Sequence, residues 1–227
     1  MSARVAVVPS ALALLPEVVG RDDVLADLRE RAVGVIASVC RDLPPAGRVT
    51  LVVATDRATV ASDVARPALP LGRRVGERLL AAAGVIPERV DVVEVGWDAP
   101  TEQCAALGAS LAAADTPAPA GTLVVVADGS ACRTEKAPGY LDERAFAVDD
   151  AIVAGLCRPE AQALLDLDPV VCAEVLAAGR APLQVLAGYL AQHAAYGLGA
   201  TNRVCHVEDP VGVLYVVAEV AVVDQRT

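Results

Sequence analysis

The run Leu123-Val124-Val125-Val126-Ala127 constrains this chain more than any other segment. It is β-branched at its centre and carries no polar side chain, so it reads as a buried internal strand. The chemistry then changes abruptly. Asp128, Ser130, Arg133, Glu135 and Lys136 follow within nine residues, and Gly129, Pro138 and Gly139 break the backbone. Polar groups just beyond the C-terminal end of an internal strand are where open α/β proteins keep their sites. Lys136 is also the only lysine in the chain.

The 227 residues suffice for one substantial α/β domain, and the expected organisation is a single domain over residues 1–227. Apolar residues make up 55% and aromatic residues only 3%, so the core is built from Val, Leu and Ala. The net charge is -10 and lies mostly in the second half: residues 101–227 carry 7 basic and 16 acidic groups. Such a surface repels a phosphate backbone, which argues against nucleic acid, while a local arginine can still serve a small anionic ligand. The six cysteines, at 40, 104, 132, 157, 172 and 205, form no CxxC pair, and most have apolar or small neighbours. The expectation is reduced thiols and a cytoplasmic location. Residues 5–16 faintly resemble a signal peptide, but Pro9 and Pro16 interrupt them and no small-x-small site follows, so they read as a strand and a loop. The uncharged stretch 181–202 contains Pro182, Gln184, Gln192 and His193 and suits buried helix better than a membrane span. A homo-oligomer stays open.

Strand patterns cover Val5–Val8, Val49–Ala54, Val90–Val95, Val204–Val207 and Val213–Val223, the last two as a hairpin or as neighbours around Glu208-Asp209-Pro210. Helical patterns cover Asp22 or Asp23 (as cap) to Cys40, Leu69–Ala83, Glu102–Ala114 capped by Thr101, Glu143–Leu156, Pro159–Leu165, Pro169–Ala178 and Leu183–Tyr196, the last loosened by Gly188. The first helix buries Val24, Leu25, Leu28, Ala32, Val35, Ile36 and Val39. Residues 58–68 read as irregular. Thr55, Asp56 and Arg57 end the second strand much as Asp128 and Arg133 follow the central one, which suggests one shared cleft. Asp149 is either a surface residue or an anchor into the loop before its helix.

No GxGxxG, Walker loop or GxSxG is present. A serine nucleophile at Ser130 would need a base and an orienting acid. The only histidines, His193 in an apolar helix and His206 in a β-rich segment, read as core and edge residues. Asp56, Asp128 and Glu174 are the catalytic candidates, and they also admit a hard-metal site. Ser10, Arg57, Ser130, Arg133 and Lys136 are the ligand-binding candidates, arginine offering a bidentate fork for carboxylate or phosphate. The alternative for the same charges is an internal ion-pair network holding two loops together.

Four segments resemble the class III extradiol ring-cleavage dioxygenases, in their catalytic LigB-like subunit, and the related Memo-like proteins. They are Val8-Pro9-Ser10 running to Pro16-Glu17; Val52-Val53-Ala54-Thr55-Asp56-Arg57; Ala127-Asp128-Gly129-Ser130-Ala131-Cys132-Arg133 with Ala137-Pro138-Gly139-Tyr140; and Asp209-Pro210-Val211-Gly212-Val213-Leu214-Tyr215. The resemblance implies a three-layer α/β/α fold with a central, mostly parallel or mixed sheet. It also implies histidine near position 10, at 56 or 57 and at 131, with Glu174 as the carboxylate ligand of iron. This chain has Ser10, Asp56-Arg57 and Ala131. The expectation is therefore a divergent homologue that keeps the cleft, lacks iron-dependent ring opening, needs no cofactor, and binds a small anionic ligand or acts in regulation. The alternative is an enzyme on a small aromatic or carboxylated substrate, with Fe(II) only if it is a true dioxygenase subunit and otherwise with carboxylate-based chemistry.

Overall fold

The protein is described by a computed structural model that covers residues 3–19, 23–56, 69–115 and 121–224. Among the described residues six strands make one sheet: β1 (Arg4–Val8), β2 (Val49–Ala54), β3 (Val90–Val95), β4 (Thr122–Val126), β5 (Leu198–Glu208) and β6 (Tyr215–Asp224). Their order is β3-β2-β4-β1-β6-β5. The first four are parallel, and β6 joins β1, and β5 joins β6, antiparallel. The sheet is therefore mixed. All five residues of β4 are buried, because β1 and β2 flank it and helices cover both faces.

The helices divide into two layers. α1 (Ala26–Cys40) and α2 (Leu71–Ala82) pack on one face with Ala6, Val8, Leu51 and Val124. The other face, with Val5, Val7, Val52 and Val125, carries α3 (Thr101–Ala114), α4 (Arg144–Cys157), α5 (Ala161–Leu165), α6 (Pro169–Glu174) and α7 (Arg180–Ala195). Alternate strand residues thus feed two aliphatic cores in a three-layer α/β/α arrangement. Each fully buried Val or Leu contributes about 1.5–3 kcal/mol relative to exposure.

Several boundaries differ from the sequence reading. Val24 is exposed rather than part of the α1 stripe, since the helix starts after it. Asp23 accepts hydrogen bonds from Arg29 and does not cap α1. Asp22, Arg57 and residues 58–68 lie outside the described residues. Thr101 is the first residue of α3, preceded by Pro100, and is not its cap. α6 stops at Glu174, short of the expected Ala178. α7 begins at Arg180, ahead of Leu183, because Pro182 is tolerated in a first helical turn. Gly188 does not loosen α7. A Cβ there would collide with the Ala105 backbone, and one at Gly108 with the Val185 backbone, so this glycine pair lets α3 and α7 touch main chain to main chain. β5 starts six residues before Val204 and pairs with β6 as a hairpin.

The expectation of reduced thiols fails for one pair. Cys157, at the end of α4, and Cys205, on β5, form a disulfide with Cα atoms 5.4 Å apart. They are 48 residues apart in sequence, and only the return of β5 past α4 brings them together. Among the described residues, no helix is long and apolar enough to cross a membrane.

Candidate functional site

The chain steps from β1 past β4 to β2 and β3 and then returns to β4. That reversal opens a crevice at the carboxyl ends of β1, β2 and β4, the usual ligand position in such sheets. A cavity of about 170 Å³ lies there. Ser10 after β1, Thr55 and Asp56 after β2, and Val126 of β4 form its floor, and the start of α2, Trp97, α6 and residues 176–180 form its walls.

Arg180 dominates its electrostatics. The side chain lines the cavity yet the residue is only 3% exposed. Its guanidinium donates to the carbonyls of Ala99 (2.9 Å) and Trp97 (2.8 Å) and to Oε1 of Gln184 (2.7 Å). All three acceptors are neutral, and no carboxylate forms an ion pair with it among the described residues. Gln184 in turn donates to the carbonyls of Leu165 and Leu167, so the arginine is fixed from below. Arg180 also sits in the first turn of a 16-residue helix, the end whose dipole disfavours a cation. A buried cation at the positive end of a helix, without a counter-charge, is an arrangement that a bound anion relieves. The start of α2 meets the same cavity through Leu71 and Gly72.

The backbone is held tightly around it. Gly179 lies so close to Asp128 that a Cβ would strike the Asp128 main chain, which brings α7 down onto the loop after β4. Leu176 lines the wall at φ 57°, a left-handed conformation that costs a non-glycine residue roughly 1–2 kcal/mol. Burial pushes the Cys172 thiol in the wall up to about 11, against the opposing charge of Arg180.

Asp56 lines the cavity, exposed, and its carboxylate accepts the Leu71 N–H at 3.0 and 3.2 Å, tying β2 to the start of α2. Ser10 also lines it, and donates from its N–H (2.8 Å) and hydroxyl (2.5 Å) to the two oxygens of Asp128. Burial pushes the Asp128 carboxyl up to about 6, only partly offset by these donors. Glu174 points elsewhere and pairs with Arg144 at the surface.

The remaining residues of the opening polar run form a network. Asp149 is buried and accepts the Ser130 N–H (2.7 Å), the Ser130 hydroxyl (2.6 Å) and an Arg133 N–H (2.8 Å). Asp149 is thus the anchor into the preceding loop. Arg133 also donates to Asp209 (2.6 Å) and lies over the Phe146 ring, 5.0 Å from its centroid. Ser130 is fully buried, Lys136 is exposed, and neither Ser130, Arg133 nor Lys136 lines the cavity.

Of the eight candidates, the structure brings Ser10 and Asp56 to the cavity, sets Asp128 behind Ser10, and places Ser130, Arg133, Lys136 and Glu174 outside the lining; Arg57 is not described. The iron site implied by the resemblance does not fit these residues. Ala131 packs against the core on the α1–α2 face, Glu174 is engaged by Arg144, and among the described residues no three His, Cys, Asp or Glu side chains gather as a metal would require. His193 is buried against Tyr189, and Nε2 of His206 lies 3.0 Å from Oε2 of Glu208. Arg180 is the residue that sequence reasoning missed. Its signal was a lone arginine at the edge of the uncharged stretch 181–202, where a helix begins. Compared with known proteins, the chain matches no family model and no curated protein sequence.

Proposed function

We propose that this chain is a single-domain, divergent relative of the extradiol dioxygenase catalytic subunit that binds a small organic carboxylate in place of performing iron-dependent ring opening. The observation that carries this reading is Arg180, a buried cation with three neutral acceptors on the wall of the cavity. The largely aliphatic surroundings, with Val126, Leu71 and Leu176, suit the apolar body of an aromatic or short-chain acid. The lineage rests on the four sequence segments, and the loss of ring opening on Ser10, Asp56 and Ala131 at positions where that family needs imidazole.

The test is calorimetric titration with benzoate, with benzamide as the uncharged control, on the wild type, Arg180→Met and Arg180→Lys. Saturable benzoate binding that Arg180→Met loses and Arg180→Lys partly keeps is the expected result. Equal binding by Arg180→Met, or none by the wild type, overturns the carboxylate site. Stoichiometric iron by elemental analysis, together with cleavage of catechol, overturns the loss of ring opening.

A second reading, an enzyme with carboxylate chemistry, is favoured by one observation: Asp128 has a carboxyl near 6 and holds the hydroxyl of Ser10 at the cavity. In that reading Asp128 accepts the Ser10 proton as Ser10 engages a substrate. Turnover of an ester or amide of a bound acid that is abolished in both Ser10→Ala and Asp128→Asn would establish it.

A further inference from the structure

A second cavity, of about 220 Å³, lies on the opposite side of the sheet from α7, between α1 and the β5–β6 hairpin. Arg31, Gly34, Val35 and Ser38 line it from one face of α1, at helical spacing. Val204 and His206 of β5 and Val217 and Glu219 of β6 line it from the sheet. Val204 is paired with Glu219 and His206 with Val217, so His206 and Glu219 are diagonal neighbours on one face.

Glu219 is unusual here. It is 3% exposed on a central antiparallel strand, faces the cavity, and has neither a hydrogen-bond donor nor a cationic partner among the described residues. A buried carboxylate is costly unless it is paired. Of the charged groups around it, His206 is engaged with Glu208, and Arg31 is exposed at the rim and forms no ion pair among the described residues. Gly34 keeps the space open. A Cβ there would meet nothing within 4 Å, so glycine is not required by crowding, and in the interior of a helix it is unfavourable relative to alanine. An unpaired buried carboxylate and a sterically unnecessary helical glycine thus meet at one cavity.

We infer that this cavity is a binding site for a compact organic cation, a primary ammonium group, with Glu219 as its counter-charge and Gly34 leaving room for its body. His206 borders the same cavity, and the exposed side chain of Val204 offers an apolar edge.

The probe is butylammonium chloride, titrated calorimetrically into the full chain, with tetramethylammonium and butyrate as controls. The wild type binds butylammonium saturably. Glu219→Gln, which keeps shape and removes charge, weakens it roughly tenfold or more. Gly34→Leu, which fills the open space, abolishes it while the circular dichroism spectrum stays native. Absence of saturable binding by the wild type overturns the site, as does equal binding by Glu219→Gln. Arg31→Ala separates the remaining possibility: if Arg31→Ala and Glu219→Gln destabilise the protein non-additively, Arg31 itself is the occupant and the external ligand is wrong. Benzoate binding reports on Arg180 alone, so either site can fail without the other.

Discussion

Two arginines stand close to the central strand, and they are treated in opposite ways. Arg133, in the loop after β4, meets Asp149, Asp209 and the face of Phe146. Arg180, at the start of α7, meets two backbone carbonyls and a glutamine. The first is neutralised within the fold and pins three segments together. The second is buried, positive and open to a cavity. A charge whose partners are all supplied by its own chain is architecture, and a buried charge whose only acceptors are neutral is available to something else. The contrast also separates two kinds of perturbation: breaking the Arg133 network lowers stability, and changing Arg180 lowers affinity.

The largest effect is expected at Asp149. Asp149→Ala leaves the buried Ser130 N–H and hydroxyl without an acceptor and takes one carboxylate from Arg133. Breaking a buried pair from one side costs roughly 3–5 kcal/mol, and the retained Asp209 contact places this one at about 3 kcal/mol. Urea denaturation measures it. A loss below about 1 kcal/mol would mean that the network is not what holds the loop, and the contrast with Arg180 would collapse.

Next comes ligand-linked stability. At benzoate a hundredfold above its dissociation constant, the wild type gains about 2.7 kcal/mol. Arg180→Met gains nothing, and its own stability without ligand falls less than that of Asp149→Ala. If Arg180→Met is instead the more damaged of the two and the wild type gains nothing from benzoate, Arg180 is a loop clamp like Arg133.

The sheet was legible in the sequence because its signal is local. β2 and β3 are β-branched runs with breakers at their ends, and both span the expected residues. The cavity's position was legible too, since Ser10 and Asp56 follow strands and strand ends converge in parallel sheets. What the sequence could not display was partnership. Asp209, which completes the Arg133 network, is 76 residues away from it. The Cys157–Cys205 disulfide and the diagonal pair His206–Glu219 likewise depend on the return of β5 and β6 to the sheet. Clustering in sequence marked Arg133 and Lys136 as site residues, whereas Arg180, isolated in sequence, reaches the cavity because Gly179 docks α7 on the Asp128 backbone.

A smaller effect links Asp128 to pH. Its carboxyl is raised to about 6 by burial, against an ordinary value of 3.8. The folded state therefore binds more protons than the unfolded state between these values. The contribution is fully present below pH 3.8 and is lost as pH rises through about 6. Partial exposure of the residue reduces it to roughly 1–2 kcal/mol. Urea midpoints across this window should fall with rising pH in the wild type more steeply than in Asp128→Asn. An identical slope in the two proteins would show that Asp128 is ionised throughout, and would remove the main support for its role as a base to Ser10.

The smallest expected effect is at Lys136, and it tests the boundary between the two regions. The residue is the only lysine, sits in the polar run after β4, and is exposed without an ion pair among the described residues. Lys136→Ala should change stability by no more than about 0.5 kcal/mol and leave benzoate affinity unaltered, because the side chain neither joins the Arg133 network nor lines the cavity. Weaker benzoate binding in this variant at low salt, restored to parity at high salt, would mean that the loop's charge reaches the cavity through the field alone. Weaker binding at every salt concentration would require contact, and the loop after β4 would then belong to the binding site rather than to its scaffold.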